Sequence, residues 1–128
     1  KNIILKKKIE IFNNGKHSRD FTYIDDIVEG VFRITKTKNS TKNIPHQIFN
    51  IGKGKSEKLM DFITEIEKNL KTKSKKKFLP MQKGDVEKTF ANTTKLLKLA
   101  KYKPKVSIKE GIKKFVNWYI KYYKIKKI

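Results

Sequence analysis

The chain has 128 residues, with 33 basic and 12 acidic side chains, a formal net charge of +21 and 37% apolar residues. That length and apolar content suit one packed domain and exclude a disordered chain. There is no cysteine, so disulfides and thiolate metal sites are excluded; no apolar run reaches the ~18–20 residues of a membrane span, and no secretory leader is seen, so a cytoplasmic location is expected.

The charge invites a nucleic-acid reading, but nearly all of it is lysine, dispersed through every segment. Base and phosphate recognition favours arginine forks. The sequence therefore predicts salt-sensitive adherence to polyanions and no specific nucleic-acid partner. A small basic nucleic-acid-binding module stands as the rival of a different class.

In chain order, "KNIILKKK" reads as the tail of a helix, and with Lys1 in place of a methionine it suggests a piece of a longer protein. "KIEIFN" (8–13) alternates as a short strand, "NNGKHS" is a turn, and "DFTYI" (20–24) is a second short strand. Asp26 with Glu29 forms a capping-box pattern opening a helix whose apolar face is Ile27, Val28, Val31, Phe32 and Ile34. A polar connector (35–45) leads to "QIFNIG" (47–52), read as a strand. Ser56 is placed as the N-cap of a helix to Leu70, with Leu59, Phe62, Ile63, Ile66 and Leu70 inward. "KTKSKKK" reads as a charged loop and "FLPM" (78–81) as a strand. Asn92 or Thr93 opens a short helix through Leu99. Ser107 and Glu110 form a capping box for the last helix, with Ile108, Ile112, Phe115, Val116, Tyr119, Ile120 and Tyr123 as its packing stripe.

Most chemical motifs fail on spacing. Gly54, Lys55 and Ser56 match the end of a phosphate loop, but Phe49 stands where its first glycine belongs. A dinucleotide turn starting at Gly52 meets Glu57 at its third glycine position. His17 and His46 have no metal-ligand spacing and receive no catalytic role. Tyr122 with Lys126 and Tyr123 with Lys127 have Tyr-x-x-x-Lys spacing in a segment so rich in both residues that coincidence explains it.

What remains is "NNGKHSRDFTYIDD" and the loop around Asp85. Only Arg19 and Arg33 break the lysine monopoly. An arginine fork grips two phosphate oxygens at once, and a carboxylate accepts two hydrogen bonds from a sugar diol, so Arg19 and Asp85 fit a nucleoside diphosphate. The alternative makes Arg19–Asp20 a structural ion pair and Asp85 a turn residue.

Four stretches, "NNGKHSRDFTYIDDIVEGVFR", "IFNIGKGKSEKLMDFITEIEKNL", "LPMQKGDVEKTFANTTKL" and "YKPKVSIKEGIKKFVNWYIKYY", follow one another as in the C-terminal portion of extended short-chain dehydrogenase/reductases, the NAD-dependent epimerase/dehydratase family. The pattern most resembles the capsule-type UDP-glucuronate 4-epimerases. The resemblance implies an α/β fold: the C-terminal substrate-binding portion of an extended Rossmann-type enzyme, with few short strands and about four helices. Residues 1–128 would form a single partial domain. It implies that Arg19 binds the diphosphate of a UDP-sugar, Asp85 the uridine ribose, and Phe12 the uracil pocket. Gln82 stands where many relatives carry a second phosphate-binding arginine, and Asn92 where aspartate is usual. Asp26 matches a conserved acid of the family, read here as a helix cap. The family's chemistry moves the C4 hydrogen to NAD and returns it to the other face. The cofactor cradle and catalytic residues belong to an earlier part of such a chain, so the piece alone is expected to be inactive. The resemblance further implies a homodimeric parent, with a nucleotide-sugar dehydratase or decarboxylase as an alternative within the superfamily.

Overall fold

The computed structural model describes residues 1–38 and 46–126. Lys127 and the connector from residue 39 to 45 lie outside them. In chain order the elements are β1 (Lys8–Ile11), a 3-10 turn (Phe12–Gly15), β2 (Ser18–Arg19), α1 (Ile24–Thr35), β3 (Glu57–Lys58), α2 (Leu59–Leu70), β4 (Lys75–Phe78), α3 (Thr94–Ala100) and α4 (Ile108–Tyr122). β1 pairs in parallel with β4, and β2 antiparallel with β3. Among the described residues, the expected α/β class with short strands and four α-helices is observed.

The main core lies where α2 and α4 pack over the start of the chain. Ile3, Leu70, Ile112 and Val116 are buried there, flanked by Ile9, Phe62, Ile66 and Ile120. The three- and four-residue spacing that predicted inward faces on α2 and α4 thus holds for these residues. On α4, Ser107 is the N-cap and accepts a hydrogen bond from the Glu110 N–H at 3.2 Å, as its capping pattern predicts. The predicted stripe is only partly core. Phe115 and Tyr123 are exposed, and with Trp118, Tyr119 and Tyr122 they stack along the outside of the helix.

Several local expectations are overturned by longer-range bonding. The lysine run is not wholly a loop: β4 occupies Lys75–Phe78 because β1 offers an in-register partner and two of its lysines find acids, Lys76 with Glu67 and Lys77 with Glu10. The segments 20–24 and 47–52 are not strands. The first is extended backbone entering α1 at Ile24, and the second is irregular. Helix α2 starts at Leu59 with Lys58 as N-cap, so Ser56 caps nothing. Asp26 is not a cap either, since Tyr23 holds that position. Asp26 is buried inside the first turn of α1 and accepts from the Tyr102 hydroxyl (2.9 Å) and from the Lys105 and Val106 N–H groups. Burial alone would push the Asp26 carboxyl up, but those donors outweigh it and hold it below the usual range. The same burial and the bond to Asp26 push the Tyr102 hydroxyl up to about 12.

Helix α1 seats itself through Asp26 and Gly30. A Cβ at Gly30 would lie 2.9 Å from the Ile51 side chain, so only glycine permits that approach. Its predicted apolar face is split by this seating, and Val28, Val31 and Phe32 face outward.

Glu67 ties the end of α2 to β4. It is buried and accepts from the Ser74 N–H (2.9 Å), the Ser74 hydroxyl and the Lys76 ammonium. Burial would raise its carboxyl, yet these bonds and the Lys76 charge bring it from 4.5 to about 2. A folded value below the unfolded one means stability present above 4.5 and lost as pH falls toward 2. Glu67→Gln is expected to destabilise the fold by about 2 kcal/mol near neutrality, a gap that closes on acidification below 4.5, measured by urea unfolding across pH.

Candidate functional site

The site begins with the turn after β1. Asn13, Asn14 and Gly15 have φ of 50°, 48° and 76°, three successive left-handed residues. Asparagine and glycine tolerate this region best, so "NNG" spells the reversal. Gly15 packs on α2, where an added Cβ would lie 2.9 Å from the Met60 sulfur. The turn is also bonded to the chain leaving β4: the Leu79 N–H donates to the Ile11 carbonyl and the Asn14 N–H to the Leu79 carbonyl. Phe12 and the 79–87 segment therefore sit together at the C-terminal ends of the parallel pair, the end where open α/β sheets place ligands.

The chain then delivers His17, Ser18, Arg19 and Asp20 along an extended stretch. Ser18 faces Lys58 and Arg19 faces Glu57 across β2–β3. On the other side the Ser18 N–H donates to the Glu87 carbonyl and the Thr89 N–H to the Ser18 carbonyl. Segment 85–89 is thus laid along β2.

Arg19 secures it. Its Nη1 donates to the carbonyls of Ser18 and Glu87, both at 3.0 Å, and its Nη2 donates to Asp85 Oδ1 at 2.8 Å. A lysine ammonium has no planar fork with which to span these three acceptors. The guanidinium has five N–H donors, so Nε–H and one Nη2–H have no acceptor among the described residues. The Arg19 and Asp85 side chains are 26% and 31% exposed, which leaves both open to a ligand.

Asp20 points to other segments. Its Oδ1 accepts from the Lys53 N–H (2.9 Å) and the Thr22 hydroxyl (3.1 Å), and its Oδ2 from the N–H groups of Gly54 (2.9 Å) and Ala91 (3.0 Å). Arg19 therefore pairs with Asp85, and the Arg19–Asp20 ion pair considered from the sequence does not form. The Gly52–Gly54 turn is built around this carboxylate: a Cβ on Gly52 would fall 2.6 Å from that of Ala91 and 3.0 Å from Asp20 Oδ2. Its N–H groups at 53 and 54 are already used by Asp20, so these residues do not fit the pyrophosphate of NAD.

Gln82 is exposed, and its carbonyl accepts from the Asp85 N–H at 3.3 Å. Phe12 is half-buried in the 3-10 turn that packs against β4. Sequence reasoning passed over His17 and Asp20 as site residues. His17 is buried with Nε2 3.3 Å from Asp85 Oδ2. Nothing in a lone histidine announces a partner 68 positions away. His46 is exposed, and Tyr122 ends α4 with its ring stacked on Trp118.

The site thus combines one short parallel strand pair flanked by helices, the Arg19 fork on β2 and the Asp85 carboxylate on the segment that follows β4. The model of the GDP-mannose 4,6 dehydratase family matches residues 1–115, and the chain belongs to this family, within the NAD-dependent epimerase/dehydratases. It is 53% identical over 120 residues to a protein of Methanocaldococcus jannaschii, covering 94% of this chain and 35% of that one. It is 36% identical over 137 residues to protein CapI of Staphylococcus aureus, covering 97% and 41%. The structure of UDP-glucuronic acid 4-epimerase from Bacillus cereus, in complex with UDP-glucuronic acid and NAD, superposes with a TM-score of 0.82 at 34% identity, over 95% of this chain and 38% of that one. The chain thus spans about two fifths or less of the length of these relatives. No helix among the described residues is long and apolar enough to cross a membrane.

Asp20→Asn sets an amide N–H₂ against backbone donors whichever way it turns, and is expected to destabilise the fold by about 2 kcal/mol. Asp85→Asn is expected to cost less than about 1 kcal/mol, because its carboxylate is partly solvated. Urea unfolding of the two variants checks the order.

Proposed function

We propose that this chain is the UDP-sugar-binding portion of an NAD-dependent nucleotide-sugar epimerase that acts on UDP-glucuronate. The observation that carries the reading is the Arg19–Asp85 pair: a fork with two donors in reserve, bonded at 2.8 Å to a carboxylate on an open loop. Arg19 grips the diphosphate through its remaining N–H groups while the others keep the 85–87 loop in place. Asp85 accepts from a ribose hydroxyl, and Phe12 and Gln82 border the nucleotide from the adjacent loops. Similarity to the Bacillus cereus epimerase, whose complex holds UDP-glucuronic acid and NAD, supports this choice of ligand.

NAD supplies hydride transfer in such enzymes, and in this reading it is held by the rest of the parent protein. The residues here bind and orient the sugar nucleotide and keep the oxidised intermediate from leaving. Residues 1–128 would be one partial domain of a homodimeric, cytoplasmic parent. A dehydratase of the same family would share the UDP grip, and product analysis of the parent separates the two.

In the complete parent, Arg19→Ala is expected to raise the KM for UDP-glucuronate at least about tenfold, since a charge-assisted bidentate grip is lost. An unchanged KM removes Arg19 from the site. The 128-residue chain by itself is expected to show no turnover with UDP-glucuronate and NAD.

A further inference from the structure

His17 is 5% exposed, and its backbone is fixed from both sides: its carbonyl accepts from the Leu59 N–H at 2.9 Å, and the next residue donates to the Glu87 carbonyl. The ring is thereby held between the start of α2 and the 85–87 loop. Its Nε2 lies 3.3 Å from Asp85 Oδ2 but out of line for a hydrogen bond, and it has no other partner among the described residues. Asp85 is asymmetric in a complementary way. Oδ1 accepts from Arg19 Nη2 and from the Val86 N–H, both at 2.8 Å, whereas Oδ2 has only the imidazole beside it.

A bare Nε2 would set its lone pair against a carboxylate oxygen, so the tautomer that fits carries the proton on Nε2. A buried donor left unmade is costly, and a small rotation of the Asp85 carboxylate brings Oδ2 into line. We propose that His17 is a positioning residue for Asp85: its Nε2–H donates to Oδ2 and fixes the carboxylate plane in which a ribose hydroxyl is accepted. Arg19 and the Val86 N–H then occupy Oδ1, His17 takes one lone pair of Oδ2, and a ligand hydroxyl uses the lone pair of Oδ2 that remains. This rests on the reading of Asp85 as the ribose acceptor.

The test is UDP binding to the complete parent protein, measured by calorimetry for His17→Phe, His17→Gln, Asp85→Asn and the His17→Phe/Asp85→Asn double variant. Phenylalanine keeps a ring and removes the donor; the glutamine amide restores a donor near the Nε2 position. His17→Phe is expected to weaken UDP binding about tenfold, His17→Gln to recover most of the loss, and His17→Phe to add nothing once Asp85 is Asn. Equal losses in the Phe and Gln variants, or a full His17→Phe effect in the Asp85→Asn background, overturn the positioning role alone. Unchanged binding in Asp85→Asn removes the ribose assignment and this inference with it. If His17→Phe does not fold, nitrogen-15 NMR of histidine-labelled parent decides. A protonated Nε2 on His17 whose shift moves on UDP addition supports the role, and a bare Nε2 overturns it.

Discussion

Two adjacent side chains of opposite charge organise this structure. Along an extended backbone, successive side chains point to opposite sides, so Arg19 and Asp20 cannot serve each other and instead reach apart. Arg19 captures the 85–87 segment through the Glu87 carbonyl and the Asp85 carboxylate. Asp20 captures the turn at 53–54 and the backbone at Ala91. One dipeptide thereby fixes three stretches that lack regular structure and hold few apolar side chains of their own.

The same economy recurs in the two buried acids among the described residues, Asp26 and Glu67. In a chain of net charge +21, carboxylates are scarce, and Asp26 and Glu67 each sit where several donors converge. Asp26 joins α1 to the stretch before α4, 79 and 80 positions away, and Glu67 ties α2 to β4 across the turn between them. A buried carboxylate that accepts two or more N–H groups satisfies backbone donors that water cannot reach. Most lysines remain at the surface, and those that enter the fold, such as Lys76 at Glu67 and Lys53 at the Val106 carbonyl, do so by meeting a specific acceptor. The consequence at Arg19 is structural: its Nη1 is occupied, its backbone is paired in β2, and the donors left over are presented from a defined place.

Features set by neighbours in sequence were legible from the residues. The spacing of Phe62, Ile63, Ile66 and Leu70 built α2, and Ser107 with Glu110 opened α4, because both depend on contacts within one or two turns. Features set across the chain were not. Lys75–Lys77 read as a solvated run, since nothing local reveals that β1 would pair with it and that Glu67 and Glu10 would meet its lysines. Asp26 has the spacing of a cap, yet Tyr102, Lys105 and Val106 claim it. "QIFNIG" has strand composition, but its Gly52 is needed where Asp20 approaches. In the site, the choice of Arg over Lys pointed to a fork, and the family resemblance to the ligand proposed for it. The Arg19–Asp85 bond and the placement of His17 needed the structure, since each joins residues more than sixty positions apart.

The central claim is that the donors left on Arg19, with Asp85 beside them, form the grip on a nucleoside diphosphate. A crystal structure of the complete parent protein with UDP tests it most directly. The account predicts an Arg19 N–H within about 3 Å of a phosphate oxygen and Asp85 within about 3 Å of a ribose hydroxyl, with the Glu87 carbonyl still held by Nη1. UDP bound with its phosphates on other residues, and Arg19 still engaged only with Ser18, Asp85 and Glu87, would contradict it.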